Sequence, residues 1–515
     1  MTGGLLNIIA YGNQNIILNG NPNKTFFKSV YSKYTNFGLQ KYRIDYKGYQ
    51  NLQTSQTSTF TFKIPRYAEL LMDTFLVITI PDIWSGFYDN DYNTPYKFNW
   101  VKYLGTTMIE SVVLSSSGSI LQQFTGDYIK NSLERNLSQS KKEHFYKMIG
   151  HEKSIYSPQE YYGNNGYYPN VINNNSQPSI RGRKLYIPLP FWFSNSSKSA
   201  FPLTCLQYDE LEIKITLKPI KNLFTILKYN SVDYSRISPN FINTNQQIFN
   251  FIQQQTDNMD QTLVDWKTDI HLISTYAFLS EEEIKVFTKN EQLYLIKEVY
   301  QENYLNIIGN KRIKINTNHL VSNWFWFLRR SDVGERNEWN NYSNWEYEDI
   351  PNVLPISNNM NNEIVVGLPQ LSNVNNLRSI LQKVSINIDG KYRESEFDAE
   401  VYNYIEKYNR CNGVSDDGLY SYSFSINTDP FELQPSGAMN LNRFKDIFID
   451  ILTITPEKNP DANVISQCDS EGNIIGVIDV DPNKLFKYSY DFILFEERFN
   501  IVKIMSGTVG LIYSR

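Results

Sequence analysis

Residues suited to acid, base or metal chemistry are scarce in this chain. The four histidines are His144, His151, His271 and His319, and no two of them have the spacing of a zinc-binding helix or a zinc finger. His144 and His151 are seven residues apart on or beside a predicted helix, an arrangement that can place both on one face. Solvated histidines are far commoner than ligands at such positions, so we predict no metal site.

Neighbouring carboxylates are a second candidate for chemistry. They occur at Glu281 to Glu283, at Asp416 with Asp417 and at Glu496 with Glu497. Their positions predict a helix N-terminus, a turn and a strand end, respectively. Glycoside hydrolysis needs two carboxylates ~5 to 9 Å apart across a cleft, a separation that sequence does not reveal. We predict that the protein is not an enzyme, with a glycan-active β-sandwich as the minor alternative.

The sequence also predicts no cofactor. Asp479, Asp481 and Asn483 approach a calcium-binding loop, but Lys484 and Tyr490 replace its required glycine and bidentate glutamate. The phosphate-binding strings GxxxxGK(S/T) and GxGxxG and the nucleophile string GxSxG do not occur.

Charge argues against nucleic acid as a direct partner. The 515 residues carry a net charge of -5, and no block of five or more like charges occurs. Two small basic groups are predicted to be interface or solvated charges rather than phosphate sites. They are Arg329 with Arg330, and Arg181 with Arg183 and Lys184.

Cysteine usage and hydropathy predict a protein of a reducing compartment that does not span a membrane. The three cysteines, Cys205, Cys411 and Cys468, are too widely separated for a disulfide framework. The first residues lack the basic leader and apolar stretch of a secretory signal. The longest apolar runs, residues 75–80 and 324–328, are far shorter than the ~20 residues that cross a bilayer.

Alternation of apolar and polar residues predicts the elements that position these side chains. Tyr420, Tyr422, Phe424 and Ile426 fall on one side of an extended strand bounded by turn residues, and serines fall on the other. The same pattern recurs at residues 59–64, 210–217 and 384–389, so it occupies both halves of the chain. Sheets with one apolar face must pack in pairs, which predicts antiparallel sandwiches or barrels.

The predicted elements divide the chain into four parts. These are an N-terminal arm (1–25), a first β unit (26–222), a long loop and inter-domain passage (223–264) and a second β unit (265–515). Strands are predicted at 57–64, 71–80, 108–116, 119–125, 183–188 and 210–217, then at 268–278, 292–300, 311–316, 320–328, 419–427, 446–455, 490–496 and 501–513.

Three helices and three long loops complete this prediction. One helix covers 127–148, with Ile129, Leu133 and Leu137 on its apolar face. A short helix begins with Ser280 as N-cap and Glu283 closing a capping box, and another covers 398–408. The loops are 150–182, 222–262 and 329–378.

Several strings resemble the major capsid proteins of nucleocytoplasmic large DNA viruses, nearly end to end and in order. In the first half they are GNPNKTFFKSVYSKYTNF from Gly20, IPRYAELL from Ile64, LPFWF from Leu189 and FPLTCLQYDELEI from Phe201. In the second half they are FLSEEE from Phe278, DGKYR from Asp389, GLYSYSFSI from Gly418, PSGAMNLNRF from Pro435 and VKIMSGTVGLIYSR from Val502.

The resemblance implies an all-β double jelly roll: two tandem eight-stranded antiparallel jelly rolls with short helices in their loops. It also implies a structural protein of an icosahedral capsid, self-assembling into pseudo-hexagonal homotrimers that contact neighbouring capsomers. The N-terminal arm would face inward, toward minor capsid proteins and inner membrane proteins. The expected location is the virion, after assembly in the host cytoplasm.

The sequence departs from the family strings at some positions, which leaves two roles open. Asp209 stands where the family usually has histidine, SGAMNLNRFKD replaces the expected SGSxNFSRID-like string, and HLVSNWFW from His319 replaces an HPVKELFW-like stretch. The chain is then either the principal shell protein or a divergent capsid paralogue, with a glycan-binding sandwich protein as the remaining alternative.

Overall fold

The structure is a computed structural model of the whole chain. It describes residues 3–10, 12–48, 50–85, 87–88, 95–158, 178–229, 234–240, 242–252, 266, 268–317, 319–348, 356–357, 364–365, 377–457, 459, 465–471, 474–479 and 486–513.

Twenty-seven strands carry most of the regular structure of the described residues. In the first half they are β1 (Phe37–Asp45), β2 (Ser58–Lys63), β3 (Leu70–Ile80), β4 (Phe87–Tyr88), β5 (Pro95–Trp100), β6 (Ile109–Ser116), β7 (Ser119–Phe124), β8 (Arg183–Pro188), β9 (Phe201–Pro202), β10 (Leu211–Leu217), β11 (Phe224–Tyr229), β12 (Tyr234–Ile237) and β13 (Ile270–Leu279). In the second half they are β14 (Gln292–Ile307), β15 (Asn310–Lys314), β16 (Leu320–Arg330), β17 (Ile356–Ser357), β18 (Ile364–Val365), β19 (Leu381–Ile388), β20 (Lys391–Asp398), β21 (Leu419–Ser423), β22 (Met439–Asn440), β23 (Ile447–Thr453), β24 (Ile465–Cys468), β25 (Ile474–Asp479), β26 (Tyr490–Met505) and β27 (Thr508–Leu511).

The helices are short and lie between strands or in the arm. They are α1 (Gly3–Ile9), α2 (Ile16–Asn19), α3 (Leu104–Met108), α4 (Gly126–Asn136), α5 (Gln139–Ile149), α6 (Lys153–Tyr156), α7 (Trp192–Asn195), α8 (Phe249–Ile252), α9 (Glu281–Lys289), α10 (Val333–Arg336) and α11 (Glu406–Arg410). A π-helical segment, Val401–Ile405, leads directly into α11. Among the described residues, none of the helices is both long and apolar enough to cross a bilayer.

Two antiparallel sandwiches of the same topology form the body. In the first, one sheet has the strand order β1-β13-β3-β8 and the other β2-β10-β6-β7. In the second, the orders are β14-β26-β16-β21 and β15-β23-β19-β20. Each sandwich has eight main strands, which can be numbered 1 to 8 in chain order. In both sandwiches one sheet then has the order 1-8-3-6 and the facing sheet has the order 2-7-4-5, which is the jelly-roll order.

Additional strands decorate these sheets. A separate sheet of the first half has the order β12-β11-β5-β4, and the hairpins β17-β18 and β24-β25 stand apart from both sandwiches. The short strands β9, β22 and β27 add to β3, β16 and β26. The fold class predicted from the sequence, an all-β double jelly roll with short helices in its loops, is thus the observed one.

Each sandwich is filled by side chains that alternate along its strands. On β10 the residues Leu211, Ile213, Ile215 and Leu217 are buried, and the residues between them are more exposed. β23 repeats this pattern with Ile447, Ile449 and Ile451. A strand with one buried and one more exposed face belongs to a sheet that packs on the core with one side and faces solvent with the other, as the alternation predicted.

The strand pairing corrects the predicted start of the second unit. The strand expected at 268–278 appears as β13, but it lies between β1 and β3, so it completes the first sandwich. The second sandwich begins with β14, after helix α9. The error arises because the last strand of a jelly roll pairs with its first and third strands, a long-range relation that local pattern does not contain.

The passage expected as a loop over 222–262 also contains regular structure. Strands β11 and β12 pair with each other, and β11 also pairs with β5. All four residues of 224–227 are buried, so the segment lacks the alternation that predicts a strand from sequence. Of the predicted loop at 150–182, residues 159–177 lie outside the described residues, as do 349–355, 358–363 and 366–376 of the loop at 329–378.

Two predicted helices differ in detail. The helix expected at 127–148 is two helices, because Leu137 and Ser138 are extended between α4 and α5. Helix α9 begins after Ser280 as predicted, but the Ser280 side chain makes no capping hydrogen bond, so the predicted capping box is wrong. The three glutamates of its first turn still place negative charge at the positive end of the helix dipole.

Two strand boundaries also differ from the prediction. The strand predicted at 419–427 ends at Ser423, and Ile426 is 69% exposed, whereas Tyr420 and Tyr422 reach the core. The strands predicted at 490–496 and 501–513 are largely one strand, β26. The polar residues in the middle of β26 pair with both β14 and β16. The strand therefore continues through the segment in which the sequence indicated a break.

Candidate assembly interfaces

Helix α4 forms the junction between the two sandwiches. It follows β7 of the first sandwich, and ten of its residues are buried, including the polar residues Lys130, Asn131, Glu134 and Arg135. Its N-cap is Thr125, whose side chain accepts a hydrogen bond from the Tyr128 amide. A helix that is buried on all sides must have neighbours on all sides. On the side of α4 that faces away from the first sandwich, these neighbours are β16 and β26 of the second sandwich.

Arg135 is the centre of a buried polar network at this junction. Its Nη2 donates to Oε1 of Glu497 at 3.2 Å, and its Nη1 donates to Oδ1 of Asn323 at 3.2 Å. Asn323 also donates to Oε2 of Glu497 at 2.8 Å, and the hydroxyl of Tyr128 donates to Oε1 at 3.0 Å. Burial raises the pKa of Glu497, but the positive charge of Arg135 and these donors outweigh it, so the pKa lies below its usual value.

Lys130 forms a second buried charge centre on the same helix. Its ammonium lies 4.5 Å from the ring centroid of Tyr103 and 4.7 Å from that of Tyr342, which come from opposite halves of the chain. Oε2 of Glu134 is 3.6 Å away, and Oδ2 of Asp416 is 3.8 Å away. Burial lowers the pKa of Lys130, but these carboxylates outweigh it and keep the lysine charged.

Backbone contacts reinforce the junction. The amide of Gly413, in the second half, donates to the carbonyl of Arg135 at 2.9 Å, so it satisfies a carbonyl near the C-terminus of α4. The hydroxyl of Thr428 donates to Oδ1 of Asn136 at 3.0 Å. At the other end of α4, Arg329 pairs with Asp127 at 3.2 Å. The two sandwiches therefore meet along the whole length of one helix.

Three arginines of the two predicted basic groups are ion-paired. Arg330 pairs with Asp332 at 2.6 Å, and its guanidinium lies 3.6 Å from the ring centroid of Tyr488. Arg183 pairs with Glu152 at 2.5 Å. With Arg329 at the junction, these three arginines act as interface or paired charges, one of the alternatives that the sequence allowed.

The histidines are not brought together. His144 is exposed on α5, whereas His151 follows the helix and stacks on Tyr103, with centroids 3.7 Å apart and planes 4° from parallel. His271 lies on β13 beside Asp269, and His319 precedes β16. In the described ranges, no group of three or more His, Cys, Asp or Glu side chains is arranged to hold a metal ion. Asp481 and Asn483 of the rejected calcium loop lie outside the described residues.

The acidic pair at Glu496 and Glu497 is not at a strand end, which corrects the sequence prediction. Both side chains are buried in the middle of β26 and point to opposite faces. Glu496 accepts hydrogen bonds from Nε1 of Trp324 at 2.6 Å and from Thr317 at 2.5 Å. Each carboxylate thus accepts hydrogen bonds from structural donors, and the two lie on opposite sides of the sheet. They therefore do not face each other across a cleft, as a catalytic pair would.

Two exposed apolar regions mark surfaces that the isolated chain leaves uncovered. The first is the arm, which extends beyond the predicted 1–25 as far as the start of β1. No side chain of its described residues, 3–10 and 12–36, is buried. The second, called the lateral patch here, lies on the edge strand β20 and the helical segment that follows it. It comprises Tyr392, Phe397, Tyr404, Ile405 and Tyr408, and Tyr408 is 88% exposed.

The strand order of the two sandwiches defines the class of double jelly-roll proteins, and the sequence comparisons give the family. The family model described as "Major capsid protein N-terminus" matches residues 25–272, and the model described as "Large eukaryotic DNA virus major capsid protein" matches residues 283–510. This chain belongs to the major capsid protein family of large eukaryotic DNA viruses and is a structural protein of the viral shell.

Relatives and solved structures agree with this assignment. The major capsid protein of Phaeocystis pouchetii virus is 23% identical over 100% of both chains, and that of Paramecium bursaria Chlorella virus 1 is 22% identical over 100% of both. The structure titled "PBCV-1 virus capsid, quasi-atomic model" has a TM-score of 0.63 at 17% identity, covering 95% of this chain and 100% of that one. The Faustovirus major capsid protein has a TM-score of 0.61 at 12% identity, covering 98% and 96%.

Proposed function

We propose that three copies of this chain associate into a capsomer of pseudo-hexagonal outline, and that such capsomers tile an icosahedral shell beside identical neighbours. The observation that carries the proposal is the repeated strand order of the two sandwiches. Two like units in each chain convert a three-fold assembly into an approximate six-fold one, so equivalent edges can meet on a flat facet.

The junction at α4 supports this role because it fixes the angle between the two units. A pseudo-hexagonal outline requires that angle to be the same in every copy. Arg135, Glu497 and Asn323 form hydrogen bonds of specific geometry in a buried place, and breaking them exposes unpaired charge to an apolar environment. For the domain limits, we place the arm before β1 and the passage between sandwiches at α9.

The lateral patch supplies a surface for a second copy of the chain. Exposed aromatic side chains are enriched in the centres of stable protein interfaces, where they bury large areas at low entropic cost. Tyr404 and Tyr408 are exposed on the helical segment beside β20, whose outer edge pairs with no other described strand. We assign this patch to contacts between copies, within the trimer or between capsomers.

The arm supplies a surface for inner components of the particle, including minor capsid proteins and inner membrane proteins. The free thiols of Cys205 and Cys411 support assembly in the reducing host cytoplasm. We assign the chain a structural role and no catalytic one, which is supported by the structural partners of Glu496 and Glu497. Direct contact with the genome forms no part of this proposal.

Light scattering after size-exclusion chromatography tests the trimer. The expected mass is three times the 60.2 kDa of the chain, with an interface above ~2,000 Å² per pair and a hexagonal outline in negative stain. A stable monomer at micromolar concentration contradicts the proposal. Tyr408→Arg is expected to weaken self-association about 30-fold, as at an interface hot spot, whereas Ile242→Arg, at another exposed apolar residue, is the matched control.

A further inference from the structure

The composition of the arm is unlike that of the body. No acidic residue occurs before Asp45, whereas Lys24, Lys28 and Lys33 fall within the arm. All three lysines are exposed, and none is part of an ion pair in the described structure. In a chain with a net charge of -5, the arm is therefore a cationic extension.

The first part of the arm is aliphatic. Helices α1 and α2 contain no buried residue, yet they carry a series of large aliphatic side chains. Ile17 and Leu18 are 87% and 86% exposed. The remaining members of the series are Leu5, Leu6, Ile8, Ile9 and Ile16. Such side chains need an apolar phase that the sandwiches do not offer them.

The second part of the arm alternates aromatic rings with lysines. Phe26, Phe27, Tyr31 and Tyr34 are each exposed, Phe27 almost completely. The ammonium of Lys24 lies 5.4 Å from the ring centroid of Phe26. Aromatic rings and lysines together are typical of segments at the boundary between lipid headgroups and acyl chains, because the rings are amphipathic and the lysine stems extend to the charged surface.

These two parts discriminate between the possible partners. Single-stranded nucleic acid would engage the lysines and the rings, but it would leave the aliphatic helices uncovered, and three cations neutralise few phosphates. Stable attachment to a membrane takes two signals, an apolar insertion and a cationic segment. The arm contains both, in adjacent segments, and lacks the acidic residues that an anionic surface would repel.

We propose that the arm docks on the surface of a lipid bilayer that contains anionic headgroups. The aliphatic side chains of α1 and α2 enter the interface, and Lys24, Lys28 and Lys33 lie on the headgroups. The inference rests on the proposed function, which places the arm on the inner side of the shell. In a trimer three arms would act together, so binding to vesicles would exceed the affinity of one arm.

Vesicle flotation with the full-length protein tests this proposal. Vesicles of phosphatidylcholine alone are compared with vesicles that also contain phosphatidylserine, and the oligomeric state of each sample is measured by light scattering. The expected result is binding to the anionic vesicles, weaker binding to the neutral ones, and loss of the difference at high salt. Because mass and lipid binding are measured separately, a trimer without lipid binding overturns only this inference, and a lipid-binding monomer overturns only the trimer.

Matched charge variants assign the binding to the arm. The variant K24E/K28E/K33E is expected to bind anionic vesicles at least about 100-fold more weakly, since each lysine contributes about fivefold near an anionic surface. The control K311E/K391E/K445E changes the net charge by the same amount at exposed lysines of the body, and it is expected to bind as the parent does. Equal loss in both variants would overturn the assignment to the arm.

An apolar variant and a competing probe complete the test. The variant I8S/I9S/I17S/L18S keeps every charge and is expected to lose binding to both kinds of vesicle, because it removes the insertion signal. Binding of a single-stranded oligonucleotide without binding of vesicles would identify nucleic acid as the partner instead. Failure to bind either vesicle, with a correctly assembled trimer, would overturn the lipid inference and leave a protein partner for the arm.

Discussion

Arg135 and Glu497 form a salt bridge of 3.2 Å between residues that belong to different sandwiches, and their side chains are 0% and 1% exposed. The guanidinium also lies 4.6 Å from the ring centroid of Phe325 on β16. Taking two charges from water is costly, so this pair persists only where both partners are held in place. It couples the position of α4 to the sheet of the second sandwich.

Removing one member of this pair is expected to destabilise the whole chain. Arg135→Met keeps an apolar stem on Phe325 but leaves Glu497 buried without its cation. We expect the free energy of unfolding to fall by about 3 to 5 kcal/mol, measured by urea denaturation. The double variant R135M/E497L is expected to recover most of the loss, because neither member of the pair is then left buried without the other.

The exposed pair Lys383 and Glu396, 2.6 Å apart, is the control for that experiment. Both side chains are in contact with water, so Lys383→Met is expected to leave the unfolding transition where it was. If Arg135→Met changes stability no more than Lys383→Met does, the junction does not depend on the buried pair.

Gly413 provides a steric test of the same junction. A methyl group there would lie 2.8 Å from the carbonyl oxygen of Glu134 and 2.9 Å from that of Arg135, and it would also meet the carbonyl of Leu137. Gly413→Ala is expected to cost about 1 to 3 kcal/mol and to increase amide exchange at the end of α4. Gly510→Ala, where nothing lies within 4 Å, is the matched control and should leave both measurements unchanged.

His151 is expected to make stability depend on pH. Burial, together with the charge of Lys130, lowers its pKa from 6.5 to about 3, and its Nδ1 accepts from the amide of Tyr103 at 3.3 Å. A histidine with a lowered pKa in the folded state contributes stability above pH 6.5, and this is lost progressively as the pH falls toward 3. The expected loss is about 1.4 kcal/mol per pH unit in that window.

Unfolding free energies of parent and variant between pH 7 and pH 5 check this expectation. His151→Phe keeps a ring between Tyr103 and Tyr156 but has no proton to gain, so its stability should fall less steeply than that of the parent. His144→Asn, at an exposed position, should retain the parental slope. Parallel curves for the parent and His151→Phe would show that His151 does not govern the slope.

Just after the end of β21, Phe424 packs against core residues, whereas Ile426 lies at the surface. Phe424 packs edge-on against Trp324 at 5.0 Å and Tyr422 at 5.1 Å, whereas Ile426 is 69% exposed. Phe424→Asp puts an unpaired charge among these rings and is expected to cost about 4 kcal/mol or more, enough to remove soluble protein. Ile426→Asp should express and unfold as the parent does, and similar behaviour of the two variants would refute the observed strand end.

The sandwiches were predictable from sequence because their strands alternate with period two. β2, β10 and β23 each bury every second residue, so local pattern sufficed for them. β11 has no alternation of buried and exposed residues, and the sequence predicts a loop there. β26 contains buried polar residues in its middle, and the sequence predicts two strands instead of one. The place of β13 depends on strands at the beginning of the chain, which no local window contains.

The junction was beyond sequence analysis for a related reason. The spacing of Ile129 and Leu133 correctly indicated a helix, although the third residue of the predicted apolar face, Leu137, lies just after the end of α4. The other face, with Lys130 and Arg135, has the composition of a solvated surface, and its burial depends on partners hundreds of residues away. The available signal is the pair Glu496 and Glu497 within a largely apolar segment, but in sequence this pair predicts a strand end.

The pairing of first with last strands determines when each sandwich can close during synthesis. Phe37 of β1 lies opposite Leu279 of β13, and Gln292 of β14 lies opposite Ile504 of β26. On the ribosome, each nascent sheet therefore has an open edge until almost all of its half has emerged, and non-local pairing of this kind is slow. We expect newly made chains to need protection from aggregation. In the second sandwich, the open edge is covered only when the last residues of β26 have emerged and paired with β14.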